Sequence, residues 1–202
     1  MIEIKHLQKS FGDKTLFKDF NMIIKDGEFV VFAGKSGCGK TTLLNMIGAL
    51  EKTDKGQVLV DGKDIHVRKN QSDYFKNKVG FLFQNFALIE DKTVRKNLEL
   101  VQKRQRTDIS IETAVDSVGL FEQLDTPVYQ LSGGEQQRVA LARLMIKKCD
   151  IILADEPTGS LDAQNASEVL RILHKMCDGG KTVILVTHDE KIIKSEKRVI
   201  RL

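Results

Sequence analysis

The run Gly34-Lys35-Ser36-Gly37-Cys38-Gly39-Lys40-Thr41 constrains the fold of this 202-residue chain more than any other feature. Two glycines separated by four residues and followed by Lys and Thr form the pattern of a phosphate-binding loop. An apolar run from Glu28 to Ala33 precedes the loop, and an apolar helical pattern from Lys40 to Leu50 follows it. A strand, a glycine-rich loop and a helix in this order predict a phosphate site in an α/β protein.

Each residue type in the loop suits phosphate chemistry. Glycines let the backbone turn its N–H groups toward phosphate oxygens, and the helix N-terminus adds the positive end of its dipole. Lys40 is expected to reach the β and γ phosphates of a nucleotide, and the Thr41 hydroxyl to ligate Mg²⁺. The predicted nucleotide contacts of this segment are Gly34, Lys35, Ser36, Gly37, Cys38, Gly39, Lys40, Thr41 and Thr42.

Two carboxylates follow a second apolar strand. Asp155 and Glu156 come directly after Ile151 to Ala154, at the end of a strand where open parallel sheets bind ligands. Asp155 is expected to hold Mg²⁺ through its water shell, and Glu156 to polarise a water for in-line attack on the γ-phosphate. Together with the phosphate-binding loop, this pair predicts nucleotide hydrolysis.

Hydrophobic periodicity predicts alternating strands and helices around these motifs. The predicted strands are Ile2–His6, Phe20–Ile24, Glu28–Ala33, Gln57–Val60, Val79–Phe83, Ile151–Ala154 and Thr182–Thr187. The predicted helices are Lys40–Leu50, Thr93–Gln105, Ile111–Val118, a helix N-capped by Ser132, and Ala163–Met176. Strand, helix and strand in succession imply parallel pairing. The expected fold is an α/β P-loop NTPase core with a mostly parallel central sheet, an N-terminal antiparallel β subdomain and an inserted α-helical subdomain.

The amino-acid composition excludes several other classes of protein. Hydrophobic residues make up 41% and charged residues 30%, with two prolines and no tryptophan, which excludes a disordered or collagen-like chain. The net charge of +4 is scattered, so it identifies no partner. No apolar run reaches the roughly 18 residues of a membrane helix. Three cysteines and the lack of a signal peptide before Ile2 predict reduced thiols in the cytoplasm.

The segment Leu131-Ser132-Gly133-Gly134-Glu135-Gln136-Gln137-Arg138 resembles the signature sequence of the ATP-binding cassette family, the ATPase subunits of ABC transporters. Further motifs appear in the family's order: Gln84 (Q-loop), Ser160-Leu161-Asp162 (D-loop) and His188 (switch histidine). Phe11, upstream of the phosphate-binding loop, is similar to the family's aromatic residue that stacks on adenine. The resemblance covers essentially the whole chain and implies one domain over 1–202, with a helical subdomain at roughly 85–150.

This resemblance implies ATP and Mg²⁺ as cofactors and a site shared by two copies. Two domains pack head to tail, so that Ser132, Gly133, Gly134 and Glu135 of one copy close over the nucleotide bound by the other. Asp162 acts across this homodimer. Gln84 contacts Mg²⁺ and senses the γ-phosphate, and His188 holds the γ-phosphate and the attacking water. Phe11 stacks on adenine in this interpretation, although a Phe between two strands is also typical of a core residue.

Several stretches resemble the bacterial group that serves macrolide, peptide and bacteriocin export and lipoprotein release. They are Leu44–Ile65, Val79–Gln84 and Thr158–Asp162. Glu90 and Lys96 depart from the group, where proline and glutamate are usual. The resemblance implies an exporter ATPase bound to integral-membrane permease subunits, cytoplasmic and peripheral on the inner face of the membrane. The alternative is a regulatory ATPase of the cell-division type, which signals through a membrane partner without transport.

Chromosome-maintenance ATPases that share the signature form a third class. Only 47 residues separate Gln84 from Ser132, too few for the long coiled-coil insertions of those proteins. The basic cluster Lys103-Arg104-Gln105-Arg106 has no interleaved aromatic residues, which favours a solvated face over a nucleic-acid site. No nucleic-acid partner is therefore expected.

Overall fold

A computed structural model describes all residues from 1 to 202. The strands are β1 (Ile2–Phe11), β2 (Lys14–Ile24), β3 (Phe29–Ala33), β4 (Lys55–Val60), β5 (Lys63–Asp64), β6 (Val79–Leu82), β7 (Ile151–Asp155), β8 (Thr182–Val186) and β9 (Val199–Arg201). The helices are α1 (Lys40–Ile47), α2 (Arg68–Asp73), α3 (Val94–Glu99), α4 (Ile111–Ser117), α5 (Gly133–Ile146), α6 (Ala163–Asp178) and α7 (Glu190–Ser195). None of these helices has the length and apolar character needed to cross a membrane.

The strands form two sheets. Four antiparallel strands lie in the order β2-β1-β4-β5, and five parallel strands lie in the order β6-β7-β8-β3-β9. The predicted combination of a parallel core, an antiparallel sheet at the N-terminus and helices between β6 and β7 is confirmed. The sequential strand and helix units account for the parallel pairing, because a helix returns the chain to the starting edge of the sheet.

Both faces of the parallel sheet are buried, in two separate hydrophobic clusters. Along β3, Val31 and Ala33 belong to the cluster that includes α3, α4, α5 and α6. Val30 and Phe32 point the other way, into the cluster shared with α1 and the antiparallel sheet. Successive side chains of a strand face opposite sides, so a strand covered on both sides is apolar throughout. This explains the unbroken apolar run that precedes the phosphate-binding loop.

The N-terminal hairpin is longer than predicted. The predicted strands Ile2–His6 and Phe20–Ile24 are parts of β1 and β2, which extend to Phe11 and begin at Lys14. His6 has a left-handed φ of 49°, and the pairing with β2 shifts register between Ile4 and Leu7. An irregularity of this kind breaks the alternation of apolar and polar residues, so the pattern ends before the strand does.

The predicted helix Thr93–Gln105 was too long. Helix α3 ends at Glu99, and a separate 3₁₀ turn covers Lys103–Gln105. The Arg106 guanidinium donates hydrogen bonds to the carbonyls of Val101, at 2.7 Å, and Glu99, at 3.1 Å. These donors satisfy carbonyls that the end of a helix leaves without a helical partner. The prediction also missed β5, α2 and α7, which have two, six and six residues.

Gly80 in β6 lets α5 pack directly on the parallel sheet. A Cβ at this position would lie 2.5 Å from Leu144 Cδ2 and 3.1 Å from Cys149 Sγ. We expect Gly80→Ala to lower the free energy of unfolding by about 1–3 kcal/mol, because the surrounding core is buried and must shift. Urea denaturation measures this change. Gly179→Ala is the control, since its Cβ would meet backbone oxygens only at 3.4 Å or more; equal losses in both variants would contradict the packing argument.

Candidate functional site

Loops that follow four parallel strands meet at one edge of the sheet. The phosphate-binding loop follows β3, Gln84 follows β6, Asp155 and Glu156 lie at the end of β7, and His188 follows β8. Val186 of β8 pairs with Phe32 of β3 on one side and with Asp155 on the other. Carboxyl ends of parallel strands share an edge, so the register alone brings these distant sequence segments together.

The phosphate-binding loop wraps around the Lys40 side chain. Lys40 is 8% exposed, and its Nζ donates to the carbonyls of Gly34, at 2.9 Å, and Lys35, at 3.1 Å. Gly34 has φ +152°, and a Cβ there would lie 2.8 Å from Cys38 Sγ. A Cβ at Gly39, with φ +108°, would lie 3.0 Å from the Phe17 ring. The loop therefore requires glycine at these positions for both conformation and space.

Two of the three residues predicted to bind Mg²⁺, Thr41 and Asp155, lie in contact. The Thr41 hydroxyl donates to Asp155 Oδ1 at 3.0 Å. Burial raises the pKa of Asp155, and the hydrogen bond from Thr41 acts in the opposite direction. A hydroxyl and a carboxylate are hard oxygen ligands of the kind that Mg²⁺ takes together with waters and phosphates. No group of three or more His, Cys, Asp or Glu residues is arranged for a metal ion.

Glu156 and His188 form a hydrogen-bonded pair beside this contact. Glu156 Oε1 lies 2.7 Å from His188 Nδ1, with side-chain exposures of 18% and 74%. Glu156 has a left-handed φ of 45°, an uncommon conformation for a non-glycine residue that costs on the order of 1–3 kcal/mol. Its N–H donates to the Val186 carbonyl at 2.9 Å, which extends the β7–β8 ladder and holds the strained residue in place.

Two cavities flank the phosphate-binding loop and share Ser36, Lys40 and Glu156. The first, of about 370 Å³, is within the size range of small-molecule sites. Its lining residues are Phe11, Lys14, Leu16, Ser36, Gly37, Gly39, Lys40, Thr41, Thr42 and Glu156. Phe11 is 50% exposed, so it is not a core residue and its ring is available to a ligand. The second cavity includes Lys35 and His188.

Gln84 lies beside the loop that follows β7. A Cβ on Gly159 would lie 3.5 Å from Gln84 Nε2 and 3.5 Å from the Glu156 carbonyl oxygen. The predicted Q-loop residue is therefore close to the carboxylate segment, although β6 and β7 are separated by more than sixty residues of mostly helical chain.

The signature residues and Asp162 form a second group, outside both cavities. Ser132 N-caps α5 and forms a capping box with Glu135, whose pKa is lowered by the hydroxyl and N–H of Ser132. Gly134 packs against α6, since a Cβ there would lie 2.5 Å from the Asn165 side chain. Asp162 N-caps α6 and accepts a hydrogen bond from the Asn165 N–H at 2.9 Å. Within one copy, the residues predicted to contact nucleotide therefore lie in two places: beside the phosphate-binding loop, and at the starts of α5 and α6.

Two basic residues near the site were not predicted. Lys14 lines the first cavity and donates to the Gly37 carbonyl at 2.8 Å. Arg143 has no carboxylate partner, and donates to the carbonyls of Phe86, at 3.1 Å, and Ala87, at 2.6 Å. Both carbonyl residues have left-handed φ values, 61° and 49°. Neither contact has a sequence signal, because each joins segments that are far apart along the chain.

Comparison with known proteins identifies relatives over the full chain. A family model described as ABC transporter matches residues 17–159. An uncharacterized ABC transporter ATP-binding protein, MJ1508 of Methanocaldococcus jannaschii, is 39% identical over all of this chain and 95% of its own length. The putative hemin import ATP-binding protein HrtA of Staphylococcus epidermidis is 37% identical over 98% of this chain and 95% of its own.

A second kind of relative is larger. The macrolide export ATP-binding/permease protein MacB of Campylobacter jejuni is 37% identical over all of this chain, which spans 33% of MacB. Among solved structures, the dimeric structure of MJ0796, a bacterial ABC transporter cassette, is similar over all of this chain and 94% of that one, with 36% identity and a TM-score of 0.87. A dimeric post-hydrolysis state of the same cassette bound to ADP and Pi gives a TM-score of 0.84 and 34% identity.

Proposed function

This chain belongs to the ABC transporter family, and on that premise we propose that it drives a membrane exporter of the peptide, bacteriocin, macrolide or lipoprotein type. It is an ABC ATPase domain that binds ATP. The observation that carries the ATP-hydrolysing part of this proposal is the meeting of the phosphate-binding loop, Asp155, Glu156 and His188 at one edge of the parallel sheet, with the signature residues on a separate surface. Residues 1–202 are proposed to form one domain, with residues 85–150 as its helical subdomain.

Export is inferred from sequence features and from one relative. The names of two relatives at 37% identity give opposite directions, macrolide export for MacB and hemin import for HrtA. The stretches Leu44–Ile65 and Thr158–Asp162 resemble the export and lipoprotein-release group, which favours export. The name of MacB describes one protein that is both ATP-binding and permease. For this chain we propose integral-membrane permease subunits as partners, a position on the inner face of the membrane through them, and no nucleic-acid partner.

ATP is proposed to lie in the cavity between Phe11 and the phosphate-binding loop. The half-exposed Phe11 ring offers a face for adenine, and loop N–H groups with the N-terminus of α1 offer donors to the phosphates. The Lys40 ammonium already lies inside the loop, where it donates to two carbonyls. Phosphate oxygens would replace these carbonyls as acceptors, and a charge-assisted bond to phosphate is the stronger of the two.

Thr41, Gln84 and, through water, Asp155 are proposed to hold Mg²⁺. When bound, Mg²⁺ would neutralise charge on the β and γ phosphate oxygens. Thr41, Gln84 and Asp155 would supply oxygen atoms that bind the ion directly or through water. The hydrogen bond from Thr41 orients the Asp155 carboxylate at 3.0 Å. Gln84 enters from the neighbouring strand beside Gly159 and so connects the site to the helical residues that follow it.

Glu156 is proposed as the catalytic carboxylate. It would accept a hydrogen bond from a water and aim it at the γ-phosphorus opposite the bridging oxygen. The P–O bond to ADP breaks as the water oxygen bonds to phosphorus, and the proton of the water passes to the Glu156 carboxylate. His188, at 2.7 Å from Glu156, holds the carboxylate and is placed to contact the γ-phosphate and the water. The strained backbone of Glu156 is consistent with a residue positioned for chemistry.

The site is proposed to be completed by a second copy in a head-to-tail homodimer. Ser132, Gly133 and Gly134 line neither cavity beside the phosphate-binding loop, which supports a role toward the nucleotide of the other copy. The exposed Ser132 hydroxyl and the N-terminus of α5 are suited to an anionic γ-phosphate. The related cassette MJ0796 is described as dimeric, which supports this arrangement.

Glu156→Gln tests the proposed chemistry. The amide keeps the size of the side chain but is a far weaker base, so we expect ATP turnover to fall by at least about 100-fold with ATP affinity retained. The bound but unhydrolysed ATP should stabilise a dimer in size-exclusion chromatography. Glu122→Gln, at an exposed position of the helical region, is the matched control. Normal hydrolysis by the Glu156 variant would remove it as the catalytic carboxylate.

Ser132→Arg tests the shared site. A long cation at the start of α5 should block approach of the second copy, and nucleotide binding by each monomer should remain. We expect no ATP-dependent dimer in a Glu156→Gln background and turnover at least about 10-fold lower in the otherwise native chain. Ser72→Arg, on the exposed surface of α2, should change neither property. Full activity of the Ser132 variant would refute a site shared between copies.

Export itself is tested by reconstitution. The chain is purified with the permease encoded beside its gene and inserted into vesicles of defined lipid. We expect one class of peptide, macrolide or lipoprotein to stimulate ATP turnover and to leave the cytoplasm-facing side only with ATP present. The regulatory alternative predicts instead that no transported compound stimulates turnover, and that ATP binding changes the activity of a wall hydrolase bound to the permease.

A further inference from the structure

Lys9 in β1 is a buried lysine that the proposed hydrolysis does not use. It is 6% exposed, and its Nζ donates to Glu51 Oε1 at 2.6 Å, to the Lys52 carbonyl at 2.9 Å and to Asp54 Oδ1 at 3.4 Å. The hydrogen bond to Glu51 raises the pKa of Lys9, which keeps the side chain charged. Burial of a charge is costly unless partners compensate for it, so this group of contacts holds the ammonium at one fixed point.

That fixed charge lies over the ring of Phe11. Lys9 Nζ is 4.7 Å from the ring centroid, within the range of a cation–π contact. The ammonium occupies one face of the ring, and the ring remains 50% exposed beside the nucleotide cavity. The backbone next to Phe11 is held as well, because the Ser10 N–H donates to Asp54 Oδ2 at 2.7 Å. The orientation of Phe11 is therefore fixed by Lys9, which contacts one face of the ring, and by Asp54, which binds the neighbouring backbone.

The same contacts connect Phe11 to the phosphate-binding loop. The N–H groups of Leu50 and Glu51 both donate to the carbonyl of Asn45, at 2.9 and 3.1 Å, which ties Glu51 to the end of α1. Helix α1 begins at Lys40, directly after the loop glycines. A connected path thus runs from the Phe11 ring through Lys9 and Glu51 to the helix that carries the phosphate site. This path links β1 of the antiparallel sheet to α1, which follows β3 of the parallel sheet.

We propose that Lys9 is a positioning residue for nucleotide recognition, which orients the exposed face of Phe11 and sets its distance from the phosphate-binding loop through Glu51. The inference rests on the proposed stacking of adenine on Phe11. Base and triphosphate of one nucleotide are bound by parts of two different sheets, so affinity depends on how well their separation is held. Loss of Lys9 would then weaken recognition of the base and leave recognition of the phosphates intact.

The experiment therefore measures recognition of the base and recognition of the phosphates separately. Calorimetry measures the dissociation constants of ATP and of inorganic tripolyphosphate for the native chain and for Lys9→Met. We expect Lys9→Met to weaken ATP binding about 10-fold, the effect of losing a desolvated cation–π contact and the orientation it provides, and to change tripolyphosphate binding less than about twofold. Lys5→Met, at an exposed lysine of the same strand, should alter neither constant.

A double-mutant cycle with Phe11→Ala tests whether Lys9 acts through the ring. If it does, Lys9→Met has no further effect on ATP affinity in the Phe11→Ala background. Additive losses, equal losses for ATP and tripolyphosphate, or native ATP affinity in Lys9→Met would each overturn the inference. If Phe11→Ala itself binds ATP normally, the stacking role of the proposed function fails and the inference fails with it, whereas a Phe11 effect without a Lys9 effect overturns the inference alone.

Circular dichroism melting checks that each variant is folded. If Lys9→Met does not fold, Glu51→Gln replaces it, because this change removes the nearest charged partner and leaves the ammonium bonded to the Lys52 carbonyl and Asp54. We expect the same selective loss of ATP affinity in Glu51→Gln, smaller in size. Native ATP affinity in a folded Glu51→Gln variant would contradict the path from Phe11 to α1.

Discussion

Main-chain hydrogen bonding among β3, β8 and β7 fixes the relative positions of the loops that form the site. The register places Val186 opposite both Phe32 and Asp155, and the ladder continues one residue further through the Glu156 N–H bond to Val186. A slip of one residue would reverse the faces of every side chain in a strand that is buried on both sides. The buried clusters on the two faces of the sheet therefore keep the phosphate-binding loop and the carboxylates in register.

Within that frame, polar groups of the site form hydrogen bonds to one another or to the loop backbone. Lys40 is bonded to loop carbonyls, Thr41 to Asp155, and Glu156 to His188. Groups oriented in advance need little reorganisation when charge develops on a phosphate, which is the main source of electrostatic catalysis. The buried Gln137, which donates to the Pro157 carbonyl at 2.8 Å, joins the signature helix α5 to the segment next to Glu156.

The signature residues, in contrast, lie apart from the phosphate-binding loop of their own subunit. Ser132 lies at the exposed start of α5, and no residue of the signature lines the cavities beside the loop. In the proposed arrangement, a single copy binds a nucleotide without enclosing it. In the proposed dimer, ATP supplies contacts to both copies, and its hydrolysis removes them, so the nucleotide shifts the population between closed and open pairs.

Features that are local in the chain were predictable from the order of the amino acids. The glycine spacing, the apolar strands before each functional loop and the capping box of Ser132 and Glu135 are read from neighbouring residues, because backbone conformation and strand burial act over a few positions. Three other features arise only in the folded protein: the length of the N-terminal hairpin, the end of α3 near the Arg106 contacts, and the contact of Lys9 with the Phe11 ring. These features depend on bonds between segments distant in sequence, such as Lys9 to Glu51, and no periodicity or spacing encodes which lysine will find which carboxylate.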